Sequence, residues 1–269
     1  MLEYNKGKCA DKAERSRVMV IRTQYLERLR PFYDSELVKV ITGIRRCGKS
    51  TILRQVIAEI KENGIEDSHI VYINFEDYKY HKLTDADAFY EYVEQKIVDE
   101  SKYYLFFDEI QNVNNFELVV NSFRATHNVS IFITGSNSKL LSGELATHLS
   151  GRTVSLRVLP FNFMEFCQYK DISAPDYETL LAEYMTYGGL PLVCGADNKE
   201  TKEVILNNIY DAVVLKDIVM RNKINSPLVL EKVLDYIVGN SSLTVSGNAI
   251  ASTLSSNGHK VSAPVVYDY

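Results

Sequence analysis

The sequence predicts an α/β fold: a parallel sheet of five strands joined by crossover helices and built around a phosphate-binding loop. Three observations lead there. The run Gly43-Ile44-Arg45-Arg46-Cys47-Gly48-Lys49-Ser50-Thr51 satisfies every fixed position of G-x-x-x-x-G-K-[ST]. It stands between an apolar, β-branched run at 37–42 and an amphipathic stretch at 52–60, the strand–loop–helix setting such a loop requires. Finally, strand-length apolar runs alternate with helical patterns from residue 37 to about 159, the signature of a parallel sheet with crossover connections.

In chain order, residues 1–36 read as a charged leader and a helix at 23–29 stopped by Pro31. The core spans 37–160, with strands at 38–42, 70–75, 103–107, 130–134 and 153–158 and helices that include 86–98 and 116–127. After Pro160 the β-branched runs give way to helical patterns at 163–169, 177–187, 200–221 and 228–239, which predict a helical lid over 161–240. Residues 241–269 predict part of a winged helix. A helix at 246–254 is followed by a Ser-Ser-Asn-Gly turn and a second helix from 261, for which Ser262 is the expected N-cap and Pro264 fits only the first turn. The chain stops inside that second helix, so the expectation is a truncated motif.

The loop's chemistry follows from its residue types. Backbone N–H groups of Gly43 to Thr51 turn inward around the β-phosphate, and the helix N-terminus adds the positive end of its dipole. Gly43 and Gly48 keep side chains out of that turn, Lys49 reaches the β/γ oxygens, and the Ser50 hydroxyl is a ligand for Mg²⁺. Arg45 and Arg46 are expected to serve the nucleotide or a neighbouring subunit, and Cys47 to be a passive loop residue or an oxidation-sensitive one.

The run Tyr103-Tyr104-Leu105-Phe106-Phe107-Asp108-Glu109 is an apolar strand that ends in two carboxylates. Asp108 is placed to hold Mg²⁺ and Glu109 to polarise a water against the γ-phosphate. The next strand ends in Gly135-Ser136-Asn137, where Asn137 or Ser136 is a candidate sensor of the γ-phosphate or, alternatively, a turn cap. Arg152 opens the last strand and is the candidate charge-stabilising arginine, acting in cis or from a neighbouring copy. Gly188-Gly189-Leu190-Pro191 reads either as a helix C-cap with a proline stop or as a nucleotide-reading turn.

Composition narrows the classes. Among 269 residues, 46% are hydrophobic and 24% charged, as in an ordinary globular protein, and the net charge of −5 sets up no global basic field for nucleic acid. No window approaches the roughly 18 apolar residues of a membrane span, and residues 1–17 lack the apolar core of a secretory signal. The four cysteines (Cys9, Cys47, Cys167, Cys194) show no metal-ligand spacing, which fits a reducing cytoplasm. Lys260 is the single base near the presumed recognition helix, a thin basis for DNA binding.

Together, "KVITGIRRCGKST", "YLFFDEIQ", "IFITGSNSKLLSGELATHLSGR" and "LPFNFMEF" resemble the bacterial and archaeal AAA-like ATPases that join an AAA domain to a helical domain of unknown function. The resemblance spans roughly residues 19 to 269. It implies a five-stranded ATPase core, a helical lid, a winged helix, and Mg²⁺-dependent ATP hydrolysis. Members usually continue into a further domain, often nuclease-like in fold, which this sequence lacks. "GGLPLV" is similar to the Gly-Leu-Pro motif of signal-transducing ATPases with numerous domains, which implies a nucleotide-reading role for Pro191. The leading expectation is an ATPase whose hydrolysis moves the lid, with ATP and ADP as ligands and a homo-oligomer, DNA or a protein as partner. The alternative is a non-hydrolysing, nucleotide-gated binding module. A GTPase is disfavoured because no Asn-Lys-x-Asp motif follows the later strands.

Overall fold

The computed structural model describes residues 19–135, 149, 151–171, 176–219, 224, 226–259 and 261–268. Five parallel strands form one sheet: β1 (Val38–Gly43), β2 (Ile70–Asn74), β3 (Tyr103–Asp108), β4 (Val129–Gly135) and β5 (Thr153–Val158). Their spatial order is β2-β3-β4-β1-β5, so β4 separates the loop-bearing strand from the one that ends in the carboxylates. Each predicted strand is present to within one residue at either end.

Side chains alternate across the sheet with the two-residue period of a strand. Val38, Val40, Leu105, Phe107, Ile131 and Ile133 face one way, toward Phe89 and Val93 of α3 (Ala86–Glu94) and Val120 and Phe123 of α4 (Phe116–Thr126). Ile41, Phe106, Phe132, Leu156 and Val158 face the other way. There they meet α1 (Thr23–Leu29) through Tyr25, Leu26 and Leu29, and α2 (Lys49–Glu62) through Ile52, Leu53, Val56 and Ile60. Covering both faces explains why β1, β3 and β4 are buried at every position, whereas the edge strands β2 and β5 are not. The segment expected to be a charged leader therefore contributes core from Val20 onward.

After β5 the chain forms α5 (Phe163–Lys170), α6 (Tyr177–Tyr187), a short α7 (Pro191–Cys194) and α8 (Lys199–Asp211). A capping box starts α5: the Asn162 side chain accepts from the Glu165 N–H at 2.9 Å, and Glu165 Oε2 accepts from the Asn162 N–H at 2.9 Å. The helix expected over 200–221 instead changes to π-helical winding at Ala212–Val219.

The chain divides into two compact units, Met1–Lys202 and Glu203–Tyr269. In the second unit, α9 (Pro227–Gly239), α10 (Gly247–Ser256) and α11 (Ala263–Asp268) pack around Val233, Ile250, Leu254 and Val266. Ser246 caps α10 by accepting from the Ala249 N–H at 3.2 Å. No helix among the described residues is long and apolar enough to cross a membrane.

A lysine sits inside the sheet. Lys39 on β1 is fully buried; its Nζ donates to Ser130 Oγ at 2.6 Å and to the Ser35 carbonyl at 3.0 Å, and lies 4.6 Å from the centre of the Phe132 ring. Burial, with Lys102 adding repulsion, pushes its pKa from 10.5 down to about 7. Between those two values the unfolded chain holds the proton and the folded chain does not, so stability from this group rises with pH through that window. The penalty is complete below the folded pKa and gone above the unfolded one. Urea melts from pH about 6 to about 10 should show wild type gaining stability relative to Lys39→Met above neutrality, with no trend below it.

Candidate functional site

All five strands are parallel, so their C-terminal ends share one edge of the sheet, where ligands of such sheets bind. Gly43 stands at that edge on β1, Asp108 on β3 and Gly135 on β4. The loop leaves β1 at Gly43, where an added Cβ would lie 2.4 Å from the Val158 carbonyl oxygen; close backbone approach by β5 therefore requires glycine. Gly48 enters α2 at a φ of 103°, a left-handed conformation that β-carbon-bearing residues resist.

The loop opens onto a cavity of about 530 Å³, within the range of small-molecule sites. Arg45, Arg46, Gly48, Lys49, Ser50 and Thr51 line it from the loop, and Glu76 and Glu109 from the ends of β2 and β3. Tyr169 of α5 and Pro191 and Leu192 of α7 complete the wall. Gly188 caps the C-terminus of α6, as the capping reading has it, and Pro191 opens α7, where its fixed φ suits a first turn and its missing N–H costs nothing.

Lys49 is 4% exposed, and its Nζ lies 3.3 Å from Glu109 Oε1 while donating to the Gly43 and Ile44 carbonyls at 3.3 and 3.4 Å. The Gln111 amide donates to the other Glu109 oxygen at 2.5 Å and fixes the carboxylate from the far side. Asp108 is fully buried. Thr134 Oγ1 donates to its Oδ1, and Tyr72 donates to its Oδ2 at 3.0 Å. Burial, reinforced by the Asp108 charge, pushes the Tyr72 phenol up to about 12, so it remains a donor. The same Thr134 oxygen accepts the Glu109 backbone N–H at 2.9 Å, so one hydroxyl ties the two acidic residues together.

Backbone strain is concentrated at this cavity. Of the four non-glycine residues at positive φ among the described residues, Arg46 (64°) and Glu109 (54°) both line it. Each left-handed residue costs on the order of 1–2 kcal/mol, and such strain gathers where function holds it.

The structure thus brings Gly43, Arg45, Arg46, Gly48, Lys49, Ser50, Thr51, Asp108, Glu109 and Pro191 to one edge. Cys47 is buried in the loop, and burial pushes its thiol above the ordinary range, which disfavours the oxidation-sensitive reading. Arg152 is a correction. It precedes β5 at the opposite end of the sheet, about 20 Å from the loop edge by strand rise, and donates to Asn121 Oδ1 at 3.3 Å. Action within its own chain's site is ruled out by that distance. Asn137 and Ser136, like Lys260, lie outside the described residues.

Thr134, Tyr72, Glu76, Tyr169 and Leu192 were not anticipated. Glu76 and Thr134 had a usable signal, since both lie at or just beyond strand C-termini. For Tyr169 and Leu192 no local pattern distinguishes them from other helical residues. The Ser50 hydroxyl lines the cavity and is a hard oxygen donor of the kind Mg²⁺ takes, whereas Asp108 is fully buried, its two oxygens accepting from Thr134 and Tyr72. No cluster of three or more metal-binding side chains occurs among the described residues, so a purely protein-made cage is absent there.

A family model described as an AAA domain matches residues 35–167, and one described as a domain of unknown function (DUF8612) matches residues 178–267. An uncharacterized protein of Haemophilus influenzae is 39% identical over 244 residues, covering 90% of this chain and 61% of that protein. An uncharacterized protein of Methanocaldococcus jannaschii is 32% identical over 241 residues, covering 86% of this chain and 53% of that one. The chain therefore spans a little over half the length of these relatives. Among solved structures, the Aeropyrum pernix Orc1 protein in complex with DNA aligns at a TM-score of 0.48 with 14% identity, over 93% of this chain and 82% of that one.

Thr134→Val keeps the shape of the side chain and removes both of its bonds, leaving the Glu109 N–H and one Asp108 oxygen without their partner. Denaturant melts should report a loss of about 1–3 kcal/mol, more than a surface threonine-to-valine change produces.

Proposed function

Because this chain is an AAA-like phosphate-loop protein with a C-terminal helical domain of unknown function, we propose that it binds ATP with Mg²⁺ in the cavity between loop and lid helices and hydrolyses it. The observation that carries this reading is the contact between Lys49 and Glu109, 3.3 Å apart on the wall of a cavity entered by a complete phosphate loop. Lys49 occupies the position from which it meets β/γ oxygens, and Glu109 sits one charge-pair distance beyond, where an attacking water would stand.

In this reading the incoming triphosphate draws Lys49 onto its oxygens and frees the Glu109 carboxylate. Glu109 then accepts a proton from water as the water oxygen bonds to the γ-phosphorus and the bond to the ADP oxygen breaks. Gln111 and the Thr134-held backbone keep the carboxylate aimed. Ser50 and Asp108 would hold Mg²⁺, which when bound neutralises phosphate charge. Tyr169, Pro191 and Leu192 offer the base an apolar wall, so occupancy of the site bears directly on α5 and α7 and supplies a route to lid movement. Arg45 and Arg46 face the phosphates from the loop, and Arg152 would act only across an interface with another copy. A DNA or protein partner for the helical unit, and a cytoplasmic setting, belong to the same proposal.

The test is Mg²⁺-dependent phosphate release from ATP and GTP over a range of protein concentrations. Lys49→Ala should abolish nucleotide binding in a calorimetric titration; unchanged affinity would remove the loop assignment. Glu109→Gln should bind ATP with wild-type affinity yet lose at least about 100-fold in turnover, as expected for loss of a general base. Tight ATP binding by wild type with no release at any concentration would turn the reading toward a nucleotide-gated switch. Turnover that rises more than linearly with protein and collapses in Arg152→Ala would place that arginine at a neighbour's site.

A further inference from the structure

Arg22 lies ahead of the phosphate-loop motif and belongs to none of the groups assigned above, yet it is 1% exposed. Its five N–H donors meet five acceptors. Nε and Nη2 donate to the two Glu165 oxygens at 2.9 and 2.8 Å, Nη1 to the Cys47 and Leu159 carbonyls at 3.2 and 2.9 Å, and Nη2 to the Pro160 carbonyl at 3.3 Å. The guanidinium carbon lies 4.5 Å from the Tyr25 ring centre and 5.3 Å from that of Phe161. Every donor of a buried arginine is thus used, and one goes to the phosphate loop itself.

We propose that Arg22 is a positioning residue for phosphate binding: it locks the Cys47–Gly48 peptide so that its N–H, rather than its carbonyl, faces the phosphate site. The peptide unit is planar and trans, so the Gly48 N–H points opposite to the Cys47 carbonyl. The carbonyl is held toward Arg22, and the N–H is thereby directed to the side on which Gly48 and Lys49 line the cavity. The lock is needed because Gly48, with no β-carbon and a φ of 103°, offers little resistance to rotation of that peptide. A flipped peptide would aim a carbonyl oxygen at anionic phosphate. Glu165 anchors the guanidinium from α5 and also closes that helix's capping box, so the same side chain ties the loop to the start of the lid helices.

This inference rests on nucleotide binding at the loop, and the experiment separates the two. Wild type, Arg22→Lys and Glu165→Gln are titrated with ATP and ADP, and hydrogen exchange is followed in peptides covering residues 43–50 and 116–126. Lysine keeps the charge but has three donors in place of a five-donor fork. The expected result is a folded Arg22→Lys that binds ATP and ADP about tenfold or more weakly, with faster exchange at 43–50 and none added at 116–126. Glu165→Gln, which loosens the anchor but retains Arg22, should shift both readouts the same way by a smaller factor, and it carries the test if Arg22→Lys does not melt cooperatively. Wild-type affinity in a folded Arg22→Lys, or in Glu165→Gln where that variant carries the test, overturns the proposal, as does exchange that rises equally in both peptides. Absence of ATP binding in wild type removes the underlying reading instead.

Discussion

The site depends on one topological constraint: β4 lies between β1 and β3. A parallel sheet puts all strand C-termini on one edge, but only the interposed strand can offer a side chain to both the loop side and the acidic side. From it Thr134 reaches the acidic side, with one hydroxyl donating to Asp108 and accepting from the Glu109 backbone. β1 and β3 are not neighbours, yet Lys49, in the loop that follows β1, lies 3.3 Å from Glu109, which follows β3.

Arg22 and Lys39 show opposite solutions to one problem. Removing a charge from water costs several kcal/mol unless the charge is paired or lost. Around the Arg22 guanidinium a carboxylate and three carbonyls are arranged. Lys39 has a hydroxyl, a carbonyl and a ring as its partners among the described residues, and burial lowers its pKa to about 7. The first solution crosslinks segments far apart in sequence, while the second makes the centre of the sheet sensitive to pH.

Strain and packing are distributed unequally. The sheet interior is regular, with apolar side chains alternating between two covered faces. Left-handed non-glycine backbone appears instead outside the strands, and two of its four described instances, Arg46 and Glu109, line the cavity. Hydrogen bonds hold Glu109 in that conformation from its own backbone through Thr134 and from its side chain through Gln111. In the proposed hydrolysis a carboxylate held in this way would need no reorganisation at the moment of reaction.

The local code determined the elements. Strand runs such as 153–158, helix runs such as 177–187, and the loop with its two glycines were legible because their signals are short-range: period, propensity and a fixed motif. Asp108 and Glu109 were legible for the same reason, as carboxylates ending an apolar strand. Tertiary structure alone decided which of these residues meet. Arg152 carries the residue type of a phosphate-stabilising group, but strand direction places it at the wrong end of the sheet. Arg22 sits in a stretch that reads as a charged leader; its role comes from partners 25 to 143 residues away. Thr134 is marked in the sequence only by its place near a strand's C-terminal end; strand order sets it beside Asp108. Pairings of this kind depend on sheet order and helix docking, which reflect burial summed over the whole chain and leave no mark on any one residue's neighbours.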